Sequence, residues 1–140
     1  CMHSEIIKEF LKKNNVFTVV GVSSSPEKWG YKVYKDLKGA GYKVYPINPK
    51  LNKINGDKCY ANLHQLPEKP DVVVTVVPPK VTWKIIEEAA ELGIKKIWMQ
   101  PGSESEEIIE KAEKLGLTLM HGICIMVTRA KLSDQSQISF

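Results

Sequence analysis

The chain has 140 residues, of which 43% are hydrophobic and 26% charged, as expected for one globular domain spanning residues 1–140 with a core at about 14–131. Its charge of +4 is modest and no basic stripe alternates with aromatic residues, so no nucleic-acid partner is expected. No apolar run is long enough to cross a membrane. Three widely spaced cysteines, Cys1, Cys59 and Cys124, indicate no metal site and suit a reducing cytoplasm. Abundant lysine, glutamate and isoleucine suggest a thermophilic source.

Residues 16–50 carry the pattern of a β-α-β unit. Val16 to Val20 is a short, nearly continuous apolar run, which is typical of a parallel strand buried on both faces. Gly21 ends it, and apolar positions then recur at helical spacing from about position 31. Lys43 to Ile47 forms a second short strand. A strand, a loop, a helix and a second strand within this length predict a right-handed crossover unit.

The loop that follows the first strand is predicted to bind an anion. It reads Gly21-Val22-Ser23-Ser24-Ser25-Pro26 and lies between the carboxyl end of a strand and the amino end of a helix. Backbone N–H groups at a helix start favour phosphate, and the serines add hydroxyl donors. The alternative is that Ser25 only caps the helix, with Pro26 at its first position.

The end of the second strand indicates which phosphate compound would bind. The loop lacks the G-x-G-x-x-G fingerprint, because the next glycine after Gly21 is Gly30. A nicotinamide dinucleotide usually meets an acidic residue at the second strand's end, whereas this chain has Asn48-Pro49-Lys50. A lysine there suits a ribose that carries a phosphate. A solvated loop lysine remains the alternative.

Three further strands complete the predicted sheet. They are Val72 to Val77, which ends at two prolines, Lys96 to Met99 and Thr118 to Met120. The fold class is therefore α/β: a Rossmann-like, doubly wound, mainly parallel five-stranded sheet with helices on both faces. In a 3-2-1-4-5 strand order, the ends of the first strand and of the valine-rich strand are expected to flank a crevice.

Four short motifs follow successive predicted strands in the order GVSSS (21–25), NPK (48–50), VVPP (76–79) and MQPG (99–102). This arrangement resembles the CoA-binding domain family, a Rossmann-like module also found as the amino-terminal domain of the succinyl-CoA synthetase α subunit and of ADP-forming acyl-CoA synthetases. The single-domain members look closest. The resemblance covers roughly residues 10–131.

The resemblance implies a ligand, coenzyme A or an acyl-CoA, and a set of contacts. It implies that Ser23, Ser24 and Ser25 hold phosphate, that Lys50 meets the adenosine end, and that Pro78 and Pro79 line the pantetheine path. Position relative to these motifs adds the remaining candidates: Gly21, Val22, Lys28, Tyr31, Asn48, Pro49, Val77, Val81, Gln100 and Gly102. Gln100 would offer its amide to the ligand; the alternative is a β-turn built on Pro101 and Gly102.

The expected function is non-covalent binding of CoA or an acyl-CoA without intrinsic turnover, because no catalytic constellation is evident. His121 and Cys124 are a close pair that a nucleophile and its base would resemble, but a buried thiol beside a loop histidine is the favoured interpretation. A mixed disulfide between a cysteine and the CoA thiol is a further hypothesis. Two alternatives remain: an NAD(P)-binding redox or sensor module, and a detached subunit of an acyl-CoA synthetase that needs a partner chain. The sequence is also compatible with a homo-oligomer.

Overall fold

The computed structural model describes residues 2–138, and side chains for residues 4–134. In chain order its elements are α1 (Met2–Phe10), β1 (Val16–Val20), α2 (Trp29–Gly39), β2 (Lys43–Ile47), β3 (Lys53–Ile54), β4 (Asp57–Lys58), a 3-10 turn (Leu63–Gln65), β5 (Val72–Thr75), α3 (Pro79–Glu91), β6 (Lys96–Met99), α4 (Glu106–Lys114), β7 (Thr118–Met120) and α5 (Ile125–Ile138). The predicted domain extent includes residues 1, 139 and 140, which lie outside the described residues, and it stays a prediction.

Five strands form one parallel sheet in the order β2-β1-β5-β6-β7. The predicted fold class is therefore confirmed, and the first strand and the valine-rich strand β5 lie side by side at the cleft as predicted. The 3-2-1-4-5 order is wrong for the five sheet strands, since in chain order they are arranged 2-1-3-4-5. The segment after β2 explains the difference. It forms the antiparallel β3–β4 ribbon and a single parallel bridge between Ile47 and Tyr60. The chain then returns past β1 and adds β5 on its other side.

The sheet is covered on both faces. One core contains Phe17 and Val72 of the sheet together with side chains of α1, α2 and α5. The other core contains Val73 and Ile97 with side chains of α3 and α4. Alternate residues of β5 thus point into different cores, so an unbroken valine run is what this position requires. An ion pair between Arg129 and Asp36, at 2.8 and 3.1 Å, ties α5 to α2.

The switch point of the sheet lies between β1 and β5. From β1 the chain leaves to α2 on one face, and from β5 it leaves to α3 on the other. Strand β5 ends at Thr75, two residues before the predicted end, although the Val76 N–H still donates to the Val20 carbonyl at 2.9 Å. Loops that diverge to opposite faces leave a crevice at the carboxyl edge of the sheet.

Candidate functional site

A cleft of 630 Å³ opens at this edge. It is bordered by the segments that follow β1, β5, β6 and β7 and by the start of α2, and its lining residues are Gly21, Ser23, Lys28, Trp29, Gly30, Val76, Val77, Pro78, Pro79, Gln100, Pro101, Gly102, Ser103 and Cys124. Apolar side chains and main-chain atoms form most of the cleft wall. A cleft with such walls and a few polar groups suits a long, partly apolar small molecule.

Helix α2 begins at the cleft without a side-chain cap. Lys28 is its N-cap residue and its side chain makes no capping hydrogen bond. The N–H groups of the first helical turn, which starts at Trp29 and Gly30, have no partner within the helix. These donors and the positive end of the helix dipole favour an anion, and the Lys28 ammonium adds to the positive potential.

At two glycines, the main chains of segments that border the cleft come into close contact. Gly21 has φ +102°, and a Cβ there would lie 2.2 Å from the Val76 carbonyl oxygen. A Cβ on Gly30 would lie 1.9 Å from the Gly21 carbonyl oxygen. Gly30 therefore permits the close helix–strand packing that the third glycine of a dinucleotide fingerprint provides, although its spacing differs. This role of Gly30 was not recognised in the sequence, because its spacing from Gly21 differs from the spacing in the fingerprint.

The serine loop supplies fewer free donors than predicted. The N–H groups of Gly21 and Val22 both donate to the Ile47 carbonyl, at 3.0 and 3.3 Å, so they are not available to an anion. Ser23 lines the cleft, and its hydroxyl accepts from the Ser25 N–H at 3.0 Å. The Val22 side chain is 1% exposed and belongs to the core. The loop is thus a folded turn whose cleft-facing member is Ser23.

The helix-capping alternative for Ser25 and Pro26 is wrong. Helix α2 starts at Trp29, because residues 25–28 form a turn closed by the Lys28 N–H donating to the Ser25 carbonyl at 3.0 Å. Ser24 is exposed and Ser25 is partly buried, and neither lines the cleft.

The tip of β2 is fastened to the serine loop by one side chain. The Asn48 Nδ2 donates to the Val22 carbonyl at 2.7 Å, while its Oδ1 accepts from the Lys50 N–H at 2.8 Å. Pro49 and Lys50 are exposed and lie outside the cleft lining. Beneath them, burial raises the pKa of the Cys59 thiol. Asn48 therefore acts on the site by fixing the relative position of two loops.

The β5 side of the cleft is a wall formed by Val77, Pro78 and Pro79. Pro79 is the first residue of α3, where its missing N–H costs no hydrogen bond. Val81 and Tyr31 are absent from the lining. Val81 is 39% exposed on α3, and the Tyr31 hydroxyl accepts from the Asn55 amide at 3.2 Å.

The β6 side is organised by the side chain of Gln100. It is 5% exposed; its Oε1 accepts from the Ile125 N–H at 2.7 Å and its Nε2 donates to the Cys124 sulfur at 3.4 Å. The amide thus holds the first turn of α5, and one of the two Nε2 hydrogens is left without a partner in these contacts. Ser103 reinforces this end, since its hydroxyl donates to the Gln100 carbonyl at 2.7 Å. Gly102 adopts φ +96° in the turn between them.

Cys124 lies in the loop before α5 and is partly buried at the cleft wall. His121 is exposed and is not a lining residue. The structure gives the Cys124 sulfur an amide neighbour in Gln100, and it brings no imidazole to the cleft among the residues lining it. The favoured interpretation was a buried thiol beside a loop histidine: the histidine lies outside the cleft lining as expected, but the thiol is only partly buried.

Half of the predicted site residues meet at the cleft. They are Gly21, Ser23, Lys28, Val77, Pro78, Pro79, Gln100 and Gly102. Those outside its lining are Val22, Ser24, Ser25, Tyr31, Asn48, Pro49, Lys50 and Val81. Trp29, Gly30, Val76, Pro101, Ser103 and Cys124 also line the cleft but were not among the predicted ligand-binding residues. Their proximity to the predicted strand ends was the available signal, but Cys124 needed the tertiary structure.

Across the described residues, no group of three or more His, Cys, Asp or Glu side chains could hold a metal ion. Over the same part of the chain, the search for long apolar helices that could span a membrane found none.

Comparison with known proteins gives concordant matches. A family model described as a CoA binding domain matches residues 15–130. The α subunit of ADP-forming acetate–CoA ligase II of Pyrococcus furiosus is 33% identical over 128 residues, covering 82% of this chain and 28% of that subunit. The uncharacterized protein YneT of Bacillus subtilis is 29% identical over 124 residues, covering 89% of this chain and 92% of YneT.

A solved structure of a conserved hypothetical protein from Pyrococcus furiosus is 47% identical, with a TM-score of 0.77, over 81% of this chain and 97% of that protein. The chain thus spans less than a third of the ligase subunit but nearly all of two small proteins. Because the family model covers most of its length, the chain belongs to the CoA binding domain family.

Proposed function

We propose that the cleft binds coenzyme A or an acyl-CoA non-covalently. The observation that carries the proposal is the uncapped start of α2 at Lys28, Trp29 and Gly30, which opens onto a long cleft with apolar walls. In this arrangement the diphosphate lies against the first turn of α2 and the Ser23 hydroxyl. Family membership supports this ligand.

The two ends of such a ligand have distinct surroundings. Lys50 at the tip of β2 would receive the phosphate on the ribose, as an exposed point charge. The pantetheine arm would follow Val77, Pro78 and Pro79 toward Gln100 and Cys124. An NAD-binding module is the weaker alternative, because the tip of β2 offers Asn48, Pro49 and Lys50 where an acidic residue would be expected.

We infer that the domain binds without turning over its ligand by itself. The cleft lining contains lysine, serine and cysteine side chains but neither a carboxylate nor an imidazole, so a general base is not at hand there. The ligase relatives favour a second candidate function: this domain acts as the CoA-binding part of a synthetase whose further parts lie on another segment or chain.

Titration distinguishes these functions. Trp29 is 61% exposed at the cleft, so its fluorescence should report binding, whereas Trp83 lies outside the cleft lining and makes W83F the matched control for W29F. We expect CoA to bind more tightly than NAD or NADP. Tighter binding of NAD would contradict the proposal. Thioester formation only when a ligase partner, ATP and an organic acid are added would support the second candidate.

A further inference from the structure

Helix α3 presents a stripe of charged side chains on its solvent face. Lys80, Lys84, Glu87 and Glu91 are all exposed. Their spacing of i, i+4, i+7 and i+11 places them along one side of the helix. Trp83, which is 39% exposed, lies next to this stripe.

The charges run against the preferences of a single helix. The lysines lie toward the amino end and the glutamates toward the carboxyl end, the reverse of what the helix dipole favours. Lys80 and Lys84 also repel each other at i, i+4 spacing, as do Glu87 and Glu91, and only the central pair, Lys84 and Glu87 at i, i+3, attracts. A complementary partner surface would offset both effects.

The stripe has spare capacity for ion pairs. Glu87 contacts Lys111 of α4 at 2.9 Å, and a carboxylate can accept from a second cation. Within the described part of the chain, Lys80, Lys84 and Glu91 take part in no ion pair.

We propose that this stripe docks a second copy of the chain, with the two α3 helices antiparallel about a two-fold axis. When the axis passes between residues 85 and 86, Lys80 faces the second copy's Glu91. The same axis places Lys84 opposite the second copy's Glu87. Two-fold symmetry repeats each pair, because residue i contacts j and j contacts i. The helix dipoles then run in opposite directions.

A neighbouring groove supports the same face. It has a volume of 310 Å³, lies between α3 and α4 and offers room for a side chain of the second copy; it is lined by Pro79, Lys80, Trp83, Lys84, Ser105, Glu107 and Ile108. Lys80 and Lys84 of the stripe thus form part of its wall, and the Lys111 ammonium lies 3.7 Å from the centre of the Trp83 ring. Pro79 also lines the main cleft, so this dimer would form directly beside the ligand site. A contact built on one helix of about 20 Å is small, and we expect a weak, salt-sensitive dimer.

A charge-swap experiment tests the proposal on the full chain by sedimentation velocity over a range of protein and salt concentrations. K80E/K84E makes the stripe wholly acidic, and E87K/E91K makes it wholly basic. We expect each variant alone to dimerise at least about tenfold more weakly than the wild type, because like charges would face each other. An equimolar mixture of the two should form heterodimers, and the quadruple swap should dimerise alone.

The control K95E/K131E changes the net charge by the same amount as K80E/K84E, at two exposed lysines outside the stripe, and should leave the dimer intact. Circular dichroism of each variant confirms folding, and restored dimerisation in the mixture excludes misfolding as the cause. A wild type that stays monomeric at the highest concentration overturns the proposal and points to a different partner for α3. Unchanged dimers in both double variants overturn it as well.

Discussion

Replacing Gly30 with alanine should lower the free energy of unfolding and weaken ligand binding together. The new Cβ would lie 1.9 Å from the Gly21 carbonyl oxygen and 2.9 Å from its carbon. Ordinary contacts of this kind are about 3.5 Å, so α2 must move by more than about 1 Å. Both of these neighbouring atoms are main chain, and no side chain can rotate away.

The expected magnitude follows from two opposing terms. Overpacking typically costs about 1–3 kcal/mol, and main-chain contact on the Gly21 side favours the upper part of that range. Alanine returns up to about 1 kcal/mol of helix propensity relative to glycine. We therefore expect a net loss of about 1–2 kcal/mol.

Gly39 provides the matched control in the same helix. It is exposed, and nothing lies within 4 Å of an added Cβ, so G39A should not destabilise the fold. Because Gly39 is the last residue of α2, G39A should gain at most about 0.5 kcal/mol, the lower end of the mid-helix range. Urea unfolding followed by far-UV circular dichroism measures both changes, and CoA titration measures the effect on the cleft. A G30A protein as stable as the wild type, with unchanged CoA affinity, would refute the close-contact argument.

Four further predictions address the site and the core. K50E should weaken CoA binding more than dephospho-CoA binding, by about 1–3 kcal/mol, if Lys50 meets the ribose phosphate; equal losses in a calorimetric titration would place it elsewhere. Burial and a hydrogen bond to Asp57 raise the pKa of Tyr34 above its ordinary value of 10.0. The unfolded chain therefore loses this proton more readily than the folded one. The contribution of Tyr34 to the free energy of unfolding is fully present below pH 10.0 and declines as the pH rises beyond it. Y34F should make the free energy of unfolding fall less steeply with pH in this alkaline range. Iodoacetamide should modify Cys124 faster than Cys59, because burial raises the pKa of the Cys59 thiol. Bound CoA should slow only the Cys124 reaction, as measured by peptide mass spectrometry. If CoA protected neither cysteine, the ligand would not lie in this cleft. The same cysteine should form a reductant-sensitive adduct with CoA disulfide, by exchange that releases one CoA thiol.

The sequence was informative wherever a local pattern had one physical interpretation. The apolar runs at Val16 to Val20 and at Lys96 to Met99 predicted strands with the observed bounds, because only a strand covered on both faces needs such a run. Prolines 78 and 79 marked the exit from the sheet, since proline cannot continue a strand ladder. These features also predicted which segments would meet at one edge.

The sequence-based predictions were incomplete where the structure depends on contacts between residues far apart in the chain. The 3-2-1-4-5 order did not hold for the five sheet strands, because the segment after β2 forms the β3–β4 ribbon and a single bridge to β2 instead of a full strand. The loop after β1 was expected to offer unpaired N–H groups, but those of Gly21 and Val22 both donate to the Ile47 carbonyl. Gln100 lines the cleft as predicted, but its bond to the Ile125 N–H, which holds the start of α5, could not be foreseen from the sequence.

Sequence alone therefore determined which segments along the chain form strands and helices and which loops lie at the carboxyl edge of the sheet, because periodicity and turn chemistry act over a few residues. Only the tertiary structure decided which donors remain available, which residues form the cleft walls, and that Gly30 and Cys124 belong beside Gly21 and Gln100. Those outcomes depend on contacts between residues far apart in the chain, and no local pattern carries that information.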